Sequence, residues 1–426
     1  MPAPRGRRPP ERQGGSPPPP PPSARQLPST GSGGQDSAAR VFLRSGRARP
    51  LWFGHPWVYG NAVDRVEGEC GPGDVVSLCD HDGRLIGRGF YNPRSQIPVR
   101  LCTRADEPVN AAFLRGRVER ARALRARLGL PSAATDIYRL VNSEGDDLPG
   151  LVVDVFADAA VVQLTTLGLA QRRAEIFDAV EEILAPKTIY EASPAGYAEL
   201  EGFEAAARVA RGASRATVAG VEDGIHLEVE PLSGQKTGMF IDQRETRIRV
   251  GQLGRGARVL DCYAYAGGFG LQAARGGAAA VTAVDSSARA IARIEAHAQR
   301  NGATIDAVEA DAFRFLETAT PRSFDLIVLD PPKFARARKD LEAARKGYER
   351  LNALALSAAA PGAVLVTCSC SQNVDADTFE RIVAAGAKQA GRPLQIIERR
   401  GPAPDHPMPP AFTEGQYLKV LVAYVY

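Results

Sequence analysis

The stretches ARVLDCYAYAGGFG (257–270), FDLIVLDPPKF (324–334) and AVLVTCSCS (363–371) decide the fold. Each begins with a short, β-branched apolar run and ends in small or acidic residues, as a strand buried on both faces does where it leaves a sheet. Between and beyond them the pattern alternates. AVTAVDSS (280–287), IDAVEAD (305–311), LQIIERR (394–400) and YLKVLVAYVY (417–426) are strand-like. GGFGLQAARGG (267–277), ARAIARIEAHAQRNG (288–302), AFRFLETA (312–319), LEAARKGYERLNALALSAA (341–359) and TFERIVAAGAKQA (378–390) are helical. Such alternation predicts an α/β domain with a doubly wound, mainly parallel sheet, whose ligands bind at the carboxyl ends of the strands.

Outward from this core the composition changes. Residues 41–103 hold short β-branched stretches punctuated by Gly, Asp and Pro, which suggests a small barrel. Residues 111–129 switch to helical spacing. Leu114, Val118, Ala121, Leu124 and Leu128 form an apolar stripe, and six Arg at 115, 117, 120, 122, 125 and 127 cover much of the rest. Those Arg are either phosphate ligands, Arg115 and Arg122 first, or a solvated face. Residues 133–232 read as a small α+β unit. Residues 1–40 carry 11 of the 32 prolines and read as a disordered tail. The expected division is a tail (1–40), a barrel (41–110), a linker helix (111–132), a middle α+β domain (133–232) and the doubly wound domain (233–426).

Charge narrows the function. The net charge of +4 is accounted for by the tail, with six Arg against Glu11 and Asp36, so residues 41–426 are formally neutral and nucleic-acid binding requires local patches. Six cysteines without tandem CxxC pairs argue against a zinc ribbon or a disulfide framework and for reduced thiols in a cytosolic setting; no metal site is expected. No apolar run is long enough for a membrane span and the N-terminus has no apolar signal region, so no membrane partner is expected.

The chemistry lies at the strand ends. Gly267, Gly268 and Gly270 open a tight turn after Asp261, but the spacing is not the dinucleotide G-x-G-x-x-G, which makes a dehydrogenase the weakest reading. Asp285 is placed to accept from ribose hydroxyls and Asp311 from an adenine amino group. Asp330-Pro331-Pro332-Lys333 puts a carboxyl on a loop stiffened by two prolines. Cys368 and Cys370 share one strand face. A thiolate at such a place can add to C6 of cytosine and make C5 nucleophilic, given a low-pKa Cys and an acid near N3.

This constellation resembles the class I S-adenosylmethionine-dependent methyltransferases. With GHPWVYGNAV (54–63), LVNSEGDDLPGLVVD (140–154), SGQKTGMFIDQRETR (233–247), PDHP (404–407) and EGQYLK (414–419), the resemblance over about 41–426 extends to the bacterial large-subunit (23S) ribosomal RNA cytosine-C5 methyltransferases, proteins with a PUA-like barrel, a small α+β insert and a Rossmann-like catalytic domain. The resemblance implies S-adenosylmethionine as cofactor and large-subunit ribosomal RNA as partner, with a homodimer left open. It implies Cys370 as nucleophile and Asp330 on the cytosine edge, with Pro331, Pro332 and Lys333 beside the base. It further implies Asp261, Gly267, Gly268, Asp285 and Asp311 around the cofactor, with Phe240, Asp242, Gln243 and Arg244 on its border. Cys368 is read as structural; His406 is a candidate acceptor of the C5 proton because imidazole titrates near neutral pH, but a loop histidine with a structural hydrogen bond is the favoured reading. The alternatives are methylation of guanine N7 or another ring nitrogen, which needs no Cys, and a non-catalytic RNA-binding or ribosome-assembly protein.

Overall fold

The computed structural model describes residues 36–234, 236–334 and 340–426. Most of the proline-rich tail lies outside the described residues, but its last five residues do not. A strand runs Asp36–Leu43, so the barrel begins before residue 41. DSAAR is too polar to declare itself a strand. Its partner Val75–Cys79 supplies the pairing, with Asp36 opposite Val75 and Arg40 opposite Ser77. The barrel sheet has six strands in the spatial order 57–58, 99–103, 85–91, 75–79, 36–43, 63–67. Val41, Leu43, Val76, Leu78 and Ile86 fill its interior.

The linker helix Ala111–Arg127 starts at Asn110, whose side chain accepts from the Phe113 N–H, a standard N-cap. Its buried face is Leu114, Val118, Ala121 and Arg125, whereas Leu124 and Leu128 are exposed. The expected apolar stripe therefore breaks at its last two positions. Arg125 is fully buried because every donor direction is met: it grips Asp146 with both terminal nitrogens (2.6 and 2.9 Å) and donates to the Arg139 and Asp405 carbonyls. The neighbouring Arg are also engaged within the protein. Arg115 pairs with Glu182, Arg117 with Glu107 and Arg120 with Asp147, while Arg122 donates to the Ile183 carbonyl. This helix is a structural strut, and Arg115 and Arg122 face the helix Arg173–Leu184 rather than a ligand cleft.

The middle unit is a five-stranded sheet in the order 207–212, 188–192, 159–164, 151–156, 137–142, with a separate hairpin, Val218–Glu222 and Ile225–Val229. Strands Ile137–Asn142 and Ala207–Gly212 escape the sequence pattern because Arg interrupts each run. Arg139 is accommodated inside by Asp154, which it meets with two hydrogen bonds.

The C-terminal domain has seven strands: β1 (Arg258–Cys262), β2 (Ala280–Asp285), β3 (Asp306–Glu309), β4 (Phe324–Leu329), β5 (Ala359–Ser369), β6 (Leu394–Arg400) and β7 (Lys419–Val425). Their order is 3-2-1-4-5-7-6; neighbours from β3 to β5 are parallel and β7 is antiparallel to both β5 and β6. Helices α1 (Arg244–Leu253), α2 (Gly268–Arg275), α3 (Ala288–Arg300), α4 (Ala312–Thr318), α5 (Leu341–Ala358) and α6 (Ala376–Ala390) cover it. The predicted α/β alternation is observed, and the sheet order reverses between β1 and β4, which opens a crevice at their carboxyl ends. Cys262 and Cys368 are buried within the two face cores as small apolar residues.

Asp405, on the loop between β6 and β7, is fully buried and joins the units. It accepts from the Arg244 guanidinium (2.8 Å), the Arg139 backbone N–H (2.9 Å) and His406 Nδ1 (3.0 Å). Removing one member of such a buried pair strands the other charge. Asp405→Ala is therefore expected to destabilise the protein by about 3–5 kcal/mol, read as a lower midpoint in guanidinium unfolding.

Candidate active site

The turn from β1 into α2 is tightly wound, with Tyr263, Tyr265 and Gly267 all in the left-handed region. Asp261 closes it by accepting from the Gly270 N–H at 3.0 Å. Burial pushes the Asp261 carboxyl up to about 7, against that hydrogen bond. Gly268 is forced: a Cβ there would sit 2.7 Å from Arg247 Cδ. Gly268 lines the cleft, while Gly267 caps α2 and Asp261 holds the turn from beneath.

At the end of β2, Asp285 accepts from the Tyr265 N–H (2.9 Å) with one oxygen and the Ser287 N–H (3.0 Å) with the other. Each oxygen keeps a lone pair free, which suits a pair of vicinal hydroxyls. Asp311, beyond β3, is exposed and caps α4 by accepting from the Arg314 N–H; it does not line the cleft. An adenine contact from its side chain is not supported by this placement.

Asp330 and Cys370 stand at the ends of β4 and β5 on the same cleft, with Pro331, Pro332 and Lys333 beside them. Burial, followed by the charge of Asp242, pushes Asp330 up to about 6. The side-chain amide of Gln243 is buried beside Asp330 and Cys368, and neither its oxygen nor its nitrogen has a hydrogen-bond partner among the described residues. Cys370 is half-buried, and its pKa runs opposite to expectation. Burial and the Asp330 charge push the thiol up, while Lys236 and Lys333 pull it down less strongly. The residue types at this end match the thiolate chemistry, but the thiol is not ionised in advance.

The segment before α1 forms the opposite wall. Asp242 accepts from Lys236 Nζ (2.9 Å) and the Tyr417 hydroxyl (2.7 Å), both through Oδ2. Burial alone would raise this carboxyl, but Lys236, His406 and these hydrogen bonds hold it well below the usual range. Phe240 packs edge-on against Tyr265 (5.3 Å), with Lys236 Nζ 4.4 Å from its ring centre. Phe240, Asp242 and Gln243 line the cleft; Arg244 does not, being committed to Asp405. His406 also lies outside the lining. Burial and the nearby Arg139 push its pKa down, which fits a structural role better than that of a base for the C5 proton.

The complete cleft has a volume of about 660 Å³, the size of a cofactor or nucleoside site. Among its lining residues, Lys236, Tyr265, Arg247, Arg293 and Tyr417 were not singled out from sequence. Lys236 and Tyr417 fall inside motifs quoted for the resemblance; nothing local marks Arg293.

These elements define a class I S-adenosylmethionine-dependent methyltransferase, and comparison with known proteins agrees. Residues 41–104 match the PUA-like domain model and residues 202–420 the S-adenosylmethionine-dependent methyltransferase model. A protein named ribosomal RNA large subunit methyltransferase I from Shewanella denitrificans is 38% identical over 91% of this chain and 100% of its own. Its namesake from Photobacterium profundum is 36% identical over 90% and 99%. In fold, a methyltransferase complexed with SAH superposes with a TM-score of 0.78 at 21% identity, covering 90% of this chain and 99% of that one. A methyltransferase from Streptococcus mutans gives 0.77 at the same identity and coverage. The chain belongs to the family of the ribosomal RNA large subunit methyltransferases I, and S-adenosylmethionine is its cofactor. The lone pairs of Asp285 and the cradle at Gly268 fit that cofactor's ribose and methionine portions. Asp285→Ala is expected to raise the dissociation constant for S-adenosylmethionine roughly tenfold or more, the worth of a charged hydrogen bond, in isothermal titration.

Proposed function

We propose that the protein methylates C5 of a cytosine in large-subunit (23S) ribosomal RNA, with Cys370 as nucleophile. The observation that carries this reading is the placement of Cys370 and Asp330 together in the lining of the cofactor cleft, at the ends of adjacent strands. Substrate class follows the full-length relatives, whose names specify large-subunit ribosomal RNA. A surface for unpaired RNA is offered by the barrel rather than by the linker helix. Trp52 and Phe53 are exposed there, with Arg84 5.9 Å and Arg49 5.7 Å from their respective rings, a combination suited to stacking bases and meeting phosphates.

S-adenosylmethionine, when bound, supplies an electrophilic methyl group. The residues do the rest. At neutral pH the stable pair is Cys370 thiol and Asp330 carboxylate. Passing the thiol proton to Asp330 creates the pair the reaction needs: a thiolate to add to C6, and a neutral acid to support the charge that develops toward N3. Lys236 and Lys333 favour the thiolate. After methyl transfer the C5 proton passes to solvent, the C6–S bond breaks to restore the ring, and the released thiolate takes its proton back from Asp330.

Labelled S-adenosylmethionine and ribosomal RNA from a strain lacking this gene provide the test. Wild type is expected to yield 5-methylcytidine in the digested product, and Cys370→Ala to yield none. Label in 7-methylguanosine, or activity that survives the substitution, would overturn the proposal in favour of a ring-nitrogen target. The proton exchange also sets the pH profile. Because the reactive pair carries the same net charge as the resting pair, kcat/KM should be flat above about pH 6 until the thiol itself ionises, and should fall below about 6 as Asp330 gains a proton in the resting enzyme. Asp330→Asn should lose this plateau. Its kcat/KM is expected to drop by roughly 10²–10⁴-fold near neutrality and to climb with pH toward the thiol pKa.

A further inference from the structure

Asp242 stands with the cofactor contacts on sequence grounds, yet its surroundings belong to the other end of the cleft. It is 4% exposed and lines the cleft. Lys236 and Tyr417 both use Oδ2, while Oδ1 is buried with no hydrogen-bond partner among the described residues. A buried carboxylate oxygen left without a donor is costly, so an arrangement that fixes one oxygen and leaves the other open prepares an acceptor for a donor brought by a ligand.

Two ligand groups could bring that donor: the ammonium of the cofactor's methionine and the exocyclic amine of the target base. Position favours the base. The groups that shape the ribose site, Asp285, Tyr265 and Ser287, gather at β1 and β2. Asp242 instead acts on Asp330 and Cys370, at the ends of β4 and β5. The pattern across the two carboxyls also matches one base edge. Cytosine presents an N4 donor beside an N3 acceptor, which require an acceptor and a donor from the protein. A charged Asp242 and a protonated Asp330 are such a pair. Uracil presents the reverse, an O4 acceptor beside an N3–H donor, which sets O4 against the charged Asp242 and N3–H against Asp330 once Asp330 has taken the thiol proton.

We infer that Asp242 is a specificity-determining residue that accepts the exocyclic amine of the target cytosine through Oδ1 and so rejects uracil. This rests on the cytosine-C5 reading above. Lys236 and Tyr417 are its positioning residues, since they hold Oδ2 and thereby aim Oδ1.

The test uses the full-length protein and an RNA fragment carrying the methylated nucleotide, synthesised with cytidine or uridine at that position. Wild type, Asp242→Asn and Tyr417→Phe are compared by kcat/KM on both fragments and by calorimetric affinity for S-adenosylmethionine. Asp242→Asn is expected to lose about tenfold or more in kcat/KM on cytidine and to narrow the cytidine-to-uridine ratio, because an amide can turn a donor toward O4. Cofactor affinity is expected to stay within about twofold of wild type. Tyr417→Phe loosens the carboxylate without removing it and should narrow the ratio by a smaller factor, which keeps the test decisive if Asp242→Asn does not fold. A weakening of cofactor affinity that matches the loss of activity, or a ratio unchanged in the folded variants, would overturn the inference. The underlying function is read separately on wild type: a product other than 5-methylcytidine overturns both, whereas 5-methylcytidine with an unchanged ratio overturns only the role of Asp242.

Discussion

The buried charge of Asp405 constrains the rest of the molecule. A carboxylate with no solvent access must be matched by cations and donors, and those come from three separate parts of the chain. Arg244 approaches from α1, the Arg139 N–H from the edge strand of the middle sheet, and Arg125 reaches the Asp405 carbonyl from the linker helix. Around this centre the charges continue to pair. Arg139 holds Asp154, and Asp154 accepts from the buried Thr237 hydroxyl. The Ala403 N–H donates to the Asp242 carbonyl. The segment 236–243, one wall of the cleft, is therefore pinned at both ends by the middle domain and the β6–β7 loop. The middle domain acts as the mould that brings Lys236 and Asp242 opposite Cys370.

That wall sets the electrostatics of the reaction end. Two carboxyls line the same cleft, and their environments drive their pKa values apart. Asp242 has Lys236 and the Tyr417 hydroxyl and stays charged; Asp330 has burial and the Asp242 charge and is pushed toward neutrality. Divergent pKa values in a pair of acids assign one as acceptor and the other as proton carrier. In the proposed mechanism the raised thiol of Cys370 fits the same scheme. A nucleophile that is protonated until its partner takes the proton is protected from idle oxidation and alkylation.

The barrel is held to the catalytic domain by a seam of aromatic and acidic side chains. Trp57 meets Phe412 edge-on at 4.6 Å and donates to Glu144 at 2.7 Å, while His55 and Tyr59 both reach Glu414. Apolar residues of the barrel, the linker helix and the middle sheet also share one core, with Phe90 and Cys102 beside Leu114 and Val153. The barrel surface that bears Trp52 and Phe53 is thus firmly mounted on the rest of the protein rather than carried by a loosely tethered module.

The α/β alternation was legible in the sequence because strands buried on both faces cannot hide their apolar runs. Asp285, Asp330 and Cys370 were legible because strand ends in such a sheet point to one crevice. Cys368, read as structural, is buried in the sheet core. Other features had no local signature. Arg125 and Arg244 read as surface or ligand-binding charges, yet each is buried against an acid distant in sequence, Asp146 and Asp405, and Arg139, which carried no reading, pairs with the buried Asp154. Asp311 ends a strand as its neighbours do, but it was drawn into capping a helix. Periodicity and turn chemistry are properties of adjacent residues, so the sequence alone determined the element order from residue 257 onward and the crevice. Whether a charge is spent on another charge depends on which distant segments meet. Only the tertiary structure decided that, and with it which acid in the cleft stays ionised and which is poised to take up a proton.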